Sequence, residues 1–128
     1  MSIKVLDLDH VGVRVADIEK SIAFYQGILG LTVESFDSLP DRGLKKAMLA
    51  AGSGIVELLQ YAGQPVPEND GPVAHLAFRV DDIENVWEEL KKAGAKLVDD
   101  QPRGLAGGMK IGFLRGPDNE SIEIVQHG

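Results

Sequence analysis

One stretch of this chain occurs twice. Asp9-His10-Val11-Gly12-Val13-Arg14-Val15-Ala16-Asp17-Ile18-Glu19 is answered by Ala74-His75-Leu76-Ala77-Phe78-Arg79-Val80-Asp81-Asp82-Ile83-Glu84, and His, Arg, Val, Asp, Ile and Glu recur in the same order at the same offset. An internal duplication restricts the fold strongly, because whatever the first copy builds, the second must build again. The 128 residues suit one compact domain made of two small halves.

Leu6 to Val15 alternates apolar and non-apolar residues, the period of a half-buried strand. Val11, Val13 and Val15 share one face; His10, Gly12 and Arg14 share the other. Asp17 is a suitable N-cap. The spacing of Ile18, Ile22, Tyr25 and Leu29 predicts an amphipathic helix from Ile18 to about Gly27, stopped by Gly30. Strands are expected at Thr32–Phe36, Lys45–Ala50 and Ile55–Gln60. In the second half Ala74 to Val80 repeats the alternating strand, with Leu76, Phe78 and Val80 facing one way and His75, Ala77 and Arg79 the other. Asp82 caps a helix carrying Ile83, Val86, Trp87 and Leu90, and Gly94 ends it. Lys96–Val98, Met109–Leu114 and Ile122–Val125 read as strands. Asp100 to Gly108 reads as a mobile loop, with Gln101–Gly108 a candidate lid. The expected fold is therefore α+β: a single domain over residues 1–128 built from two tandem βαβββ modules, 6–60 and 73–126. A linker, 61–72, rich in proline and glycine, joins them.

The formal charge of −7 argues against nucleic acid and against an anionic membrane surface as partners. No apolar run approaches the roughly 20 residues of a spanning helix. The start of the chain, Met1 to Asp7, has no signal-peptide core. The chain has no cysteine, which excludes disulfides, thiolate metal sites and a cysteine nucleophile. A cytoplasmic location is the simplest expectation.

Four residues stand out. His10 and His75 lie at matched positions in the first strand of each half, each followed two residues later by a small residue, Gly12 or Ala77. Glu57 and Glu123 are lone carboxylates in the last strand of each half. Taken singly, each is an ordinary solvent-facing side chain between buried neighbours. Taken together, each half supplies one imidazole and one carboxylate. That donor set suits one divalent transition metal such as Ni, Zn, Co, Mn or Fe. Such an ion can polarise a carbonyl as a Lewis acid.

With those four residues and the duplication, the sequence resembles the vicinal oxygen chelate (glyoxalase, bleomycin resistance and dioxygenase) superfamily through both halves. The resemblance implies paired βαβββ modules with metal ligands at His10, Glu57, His75 and Glu123. Within the superfamily the chain is similar to bacterial glyoxalase I (lactoylglutathione lyase), through the spacing of Glu57, His75 and Glu123 and through Gly107-Gly108-Met109-Lys110 leading to Gly116-Pro117-Asp118-Asn119. Arg14 matches a position associated there with glutathione binding, whereas Tyr61 stands where that family has Asn. The alternative is methylmalonyl-CoA epimerase, whose turn Pro40-Asp41-Arg42-Gly43 resembles, although Lys45 and Lys46 occupy the region of that family's acid–base Glu. Both resemblances imply proton abstraction next to a metal-bound carbonyl through an enediolate, with Glu123 as ligand and base and Glu57 as its counterpart. Arg14, Arg79 and Arg103 are candidates for holding an anionic substrate, a thiol adduct or an acyl thioester. A homodimer is expected by analogy, with the metal site either within one chain or across the interface. A metal-free binding or resistance protein and an iron dioxygenase are further readings of the same fold.

Overall fold

The computed structural model describes residues 4, 6–68 and 71–128. The chain divides into two compact units, Met1–Pro65 and Val66–Gly128, each built around one sheet. The two sheets and few helices meet the expectation of a mixed α+β fold.

In the first unit β1 (Val11–Arg14) leads into α1 (Ile18–Ile22). Then come β2 (Thr32–Leu39), β3 (Leu44–Ala51) and β4 (Gly54–Tyr61). The sheet order is β1-β4-β3-β2, with β1 parallel to β4 and the other pairs antiparallel. The second unit repeats this order with β5 (Leu76–Arg79), α2 (Ile83–Lys92), β6 (Lys96–Leu97), β7 (Arg103–Gly104), β8 (Lys110–Arg115) and β9 (Ser121–Gln126). Its sheet runs β5-β9-β8-β6, with β7 also on β8, and β5 is parallel to β9. In both units the first strand of the module therefore lies beside the last, which places the start of one next to the middle of the other.

The two helices begin in the same way. Asp17 accepts a hydrogen bond from the Lys20 N–H, and Asp82 from the Asn85 N–H, so both are N-caps. A glutamine from the last strand completes each start: Gln60 Oε1 accepts from the Ile18 N–H and Gln126 Oε1 from the Ile83 N–H, both at 2.8 Å. These two bonds satisfy helix-end donors that have no partner inside the helix. They also tie each helix to the strand that carries the glutamate of its half. Ile18, Tyr25, Leu49 and Leu58 are fully buried in the first unit, and Ile83, Trp87, Leu114 and Ile122 in the second. Gly112 on β8 lies against the Trp87 ring so closely that a Cβ there would sit 2.8 Å from ring carbons.

Three expectations are corrected. The first strand begins at Val11, not Leu6, and Leu6 and Leu8 are exposed. Among the described residues its only neighbour is β4, which starts at Gly54, and Val11 already pairs with Val56, so residues before it soon run out of partner. The first helix is α-helical only to Ile22 and continues as a wider π-helical turn, Ala23–Ile28. That turn lets the consecutive residues Phe24 and Tyr25 both point inward, where their rings meet edge to face at 5.0 Å. The segment Asp100–Gly108 is not an unstructured loop. Arg103 and Gly104 pair with β8 and the Leu105 N–H donates to the Met109 carbonyl. The span 61–72 contributes Tyr61 to β4, and Asn69 and Asp70 within it lie outside the described residues. Among the described residues no helix is long and apolar enough to cross a membrane.

Candidate metal centre

In each unit the parallel pairing of first and last strands brings one histidine to one glutamate. Gly12 is the cross-strand partner of Glu57, and His10 lies two residues before it, so its ring reaches the same carboxylate. His10 Nε2 is 3.5 Å from Glu57 Oε1. In the second unit Ala77 is the partner of Glu123, and His75 Nε2 is 3.3 Å from Glu123 Oε1. The small residue two places after each histidine thus sits beside the carboxylate. A Cβ added at Gly12 would come within 3.2 Å of Leu59 and 3.8 Å of the Glu57 oxygen.

Both carboxylates are sheltered, with side chains only 15% and 16% exposed, whereas both histidines are open to solvent on one side. The His10 ring is oriented by Asp9, whose Oδ2 is 2.7 Å from Nδ1. This hydrogen bond is the largest reason the His10 pKa stands above the ordinary 6.5; burial opposes it, the Glu57 charge adds to it, and the Lys46 charge opposes it. When Nδ1–H donates to Asp9, the Nε2 lone pair faces a carboxylate oxygen. Two acceptors face each other there, and a proton or a cation between them removes the conflict. Ligand atoms bound about 2.0–2.2 Å from one ion lie about 2.8–3.6 Å apart at right or tetrahedral angles. The His–Glu separations in both units are close to that spacing, and the donor set is one that divalent transition metals accept. In metal sites a carboxylate on the far nitrogen of a ligating imidazole is a recurrent supporting contact, and Asp9 takes that place on His10. Among the described residues no three His, Asp or Glu side chains form one metal-binding group, so what each unit presents by itself is a pair.

The surroundings of the two pairs differ. Phe113, the cross-strand partner of Glu123 on β8, meets the His75 ring edge to face at 5.7 Å. Met48 is the corresponding partner of Glu57. Arg14 lies 5.1 Å over the Tyr61 ring and donates from Nη2 to Gln64 Oε1 at 3.2 Å. Arg79 is exposed on β5, at the position matching Arg14. Arg103 is tied by its Nε to Asp99 at 3.2 Å, and Asp99 also accepts from the Phe113 N–H.

Several of these partners were missed from sequence. Gln60 and Gln126 were legible as a repeat, since each stands three residues after its glutamate. Asp9 has no counterpart in the second copy, where Ala74 precedes His75, and only the folded geometry shows its contact. Tyr61 and Gln64 fell inside a span read as linker.

A family profile described as the Glyoxalase/Bleomycin resistance protein/Dioxygenase superfamily matches residues 7–124. The chain is 32% identical over 122 residues to the uncharacterized protein YwbC of Bacillus subtilis (93% of this chain, 96% of that one). It is 30% identical over 123 residues to a probable lactoylglutathione lyase of Vibrio cholerae (92% and 88%). It is also 30% identical over 118 residues to the human mitochondrial methylmalonyl-CoA epimerase (87% and 67%). Among solved structures, SMU.1112c superposes with a TM-score of 0.83 at 27% identity, covering 95% of this chain and 99% of that one.

Proposed function

The chain belongs to the Glyoxalase/Bleomycin resistance protein/Dioxygenase superfamily, and we propose that it is a metal-dependent, glyoxalase I-like lyase converting the hemithioacetal of a 2-oxoaldehyde into a 2-hydroxyacyl thioester. The observation that carries this reading is the repeated histidine–carboxylate pair on neighbouring parallel strands, 3.5 Å apart in one unit and 3.3 Å in the other. On this reading His10, Glu57, His75 and Glu123 hold one divalent transition metal. When bound, the ion supplies Lewis-acid polarisation of a substrate carbonyl. Glu123 takes the proton from the carbon next to that carbonyl and returns it to the neighbouring carbon, and Glu57 is its counterpart. Both carboxylates are shielded from bulk water, which keeps the proton from exchanging away during the transfer. Arg14, held by Tyr61 and Gln64, and the exposed Arg79 attract the anionic tail of a thiol adduct. Arg103 is the weakest of the three for that role, because Asp99 already occupies it. A homodimer in the cytoplasm completes the proposal.

A second reading rests on the human relative named methylmalonyl-CoA epimerase and on the Pro40–Gly43 turn, where Gly43 adopts φ 59°. The proton would then return to the opposite face of the same carbon of an acyl thioester.

The test is metal content of the purified protein, followed by turnover of the methylglyoxal–glutathione hemithioacetal with Ni or Zn restored. Stoichiometric metal, lost in His75→Ala, together with thioester formation supports the lyase. Glu123→Gln is expected to lower turnover by about 10²–10⁴-fold with the fold intact. Metal with epimerisation alone moves the assignment to the second reading. A protein that takes up no metal is a binding module.

A further inference from the structure

The sheet of the first unit carries two adjacent cross-strand rows. Gly12, Glu57 and Met48 form one; Arg14, Leu59, Lys46 and Asp37 form the next. Side chains directly opposite one another in such rows share a face, and diagonal neighbours are about 7–8 Å apart or less. Lys46 is thus diagonal to Glu57, on the face that bears the histidine–glutamate pair. Its neighbour Lys45 points the other way and pairs with Glu19 at 3.9 Å.

Lys46 is only partly exposed, and among the described residues it forms no ion pair, although Asp37 stands opposite it on β2. The second unit carries a different side chain at this position. The matching row of the second unit is Arg79, Val125, Ile111 and Arg103, so the counterpart of Lys46 is Ile111, which is 8% exposed. A position that an isoleucine fills in one half holds a partly exposed lysine in the other, with no ion pair among the described residues. A cation in that state favours an anion brought to it, since partial burial strengthens the attraction and, among the described residues, neither Asp37 opposite nor Glu57 on the diagonal forms an ion pair with it.

We propose that Lys46 is a specificity-determining residue that binds a carboxylate of the substrate beside the His10–Glu57 pair. The substrate class this names is a metal-chelating 2-oxo or 2-hydroxyacyl adduct bearing a negative group on or near its acyl portion. The inference rests on the metal-site reading above and deepens it.

The experiment uses the full chain loaded with Zn and two chelating probes, acetohydroxamate and its carboxylate-bearing analogue N-hydroxysuccinamate, titrated against the wild type, Lys46→Gln and Lys46→Arg. The expected result is that wild type prefers the carboxylate probe by about tenfold or more, the scale of one charge-assisted contact. Lys46→Gln abolishes the preference and Lys46→Arg keeps most of it, while acetohydroxamate affinity and zinc stoichiometry are equal in all three. Equal affinities for the two probes in wild type, or a Lys46→Gln loss that is the same for both, overturns the proposal. If no zinc is retained, the metal-site reading fails. Succinate titrated against the metal-free chain, read on the Lys46 side-chain ammonium resonance, then decides the anion site alone: a saturable shift upholds it and no shift overturns it.

Discussion

Replacing Asp9 by Ala removes one hydrogen-bond acceptor from His10 and almost nothing else. The Asp9 side chain is 92% exposed, so no packing is lost, and β1 begins two residues later. What disappears is the 2.7 Å contact that orients the imidazole and supports its basicity. Loss of such an outer carboxylate costs about 10–100-fold in metal affinity, and the exposure of Asp9 places the expected loss near the lower end, about tenfold. The pH of the assay matters. Asp9 also raises the proton affinity of His10, so near neutrality the variant loses a competing proton together with a good ligand, and the two effects partly cancel. At about pH 8.5, well above the usual range of histidine, the ligand effect stands alone.

The assay is therefore zinc affinity at that pH by competition with a chromophoric chelator, with the His10 titration followed by NMR in the metal-free protein. The His10 pKa is expected to fall in the variant, since its largest raising cause is gone. The linkage to folding has a definite sign. A folded-state pKa above the unfolded value adds stability that is fully present below about pH 6.5 and is lost as pH rises through the folded pKa. Asp9→Ala should therefore narrow the stability gap to wild type as pH rises. An unchanged zinc affinity together with an unchanged His10 titration would refute the supporting role of Asp9.

Two further predictions concern the frame around the pairs. Gly112→Ala forces a methyl group into the ring of Trp87, which is fully buried and anchored through Nε1 to the Asp99 carbonyl at 3.0 Å; a destabilisation of about 1–3 kcal/mol is expected in denaturant melts followed by tryptophan fluorescence. An unchanged midpoint would mean that the ring is not seated against β8. Gln126→Ala leaves the Ile83 N–H without its 2.8 Å acceptor, and about 1 kcal/mol should be lost, with faster hydrogen exchange confined to the first turn of α2. Protection that stays the same there would remove Gln126 from the helix start.

Much of this was legible from the repeat. The duplication placed both histidines and both aspartate caps, because matched residues at a constant offset must occupy matched sites, and the two glutamates stood out as lone carboxylates in the last strand of each half. The alternation of Val11, Val13 and Val15 placed His10 on the open face of β1. Single-strand periodicity did not reveal where β1 begins, since that depends on where its partner β4 starts. Nor did it reveal the π-helical turn, which answers to the packing of two consecutive aromatic rings. Spacing along the chain placed His10 near Glu57 only through the family resemblance. The physical cause is the parallel register of β1 and β4, a long-range fact that no local pattern carries.

The two halves also separate what the duplication kept from what it let diverge. Kept are Asp17 and Asp82, Gln60 and Gln126, and the two histidine–glutamate pairs. These residues start each helix or meet across the parallel strands, duties that each module has to perform for itself. Diverged are the side chains one step outward. Asp9 supports His10 where Ala74 precedes His75, and Met48 faces Glu57 where Phe113 faces Glu123. Lys46 stands where the other half has Ile111. The halves also differ elsewhere, in the lengths of β2 and β6 and in the π-helical turn of the first, but on the proposed function the differences beside the pairs are the ones that give a bound molecule different neighbours. If that proposal holds, variants at Asp9, Met48, Phe113 and Lys46 should change which molecule is bound, whereas variants at the histidines and glutamates should change whether metal is bound at all.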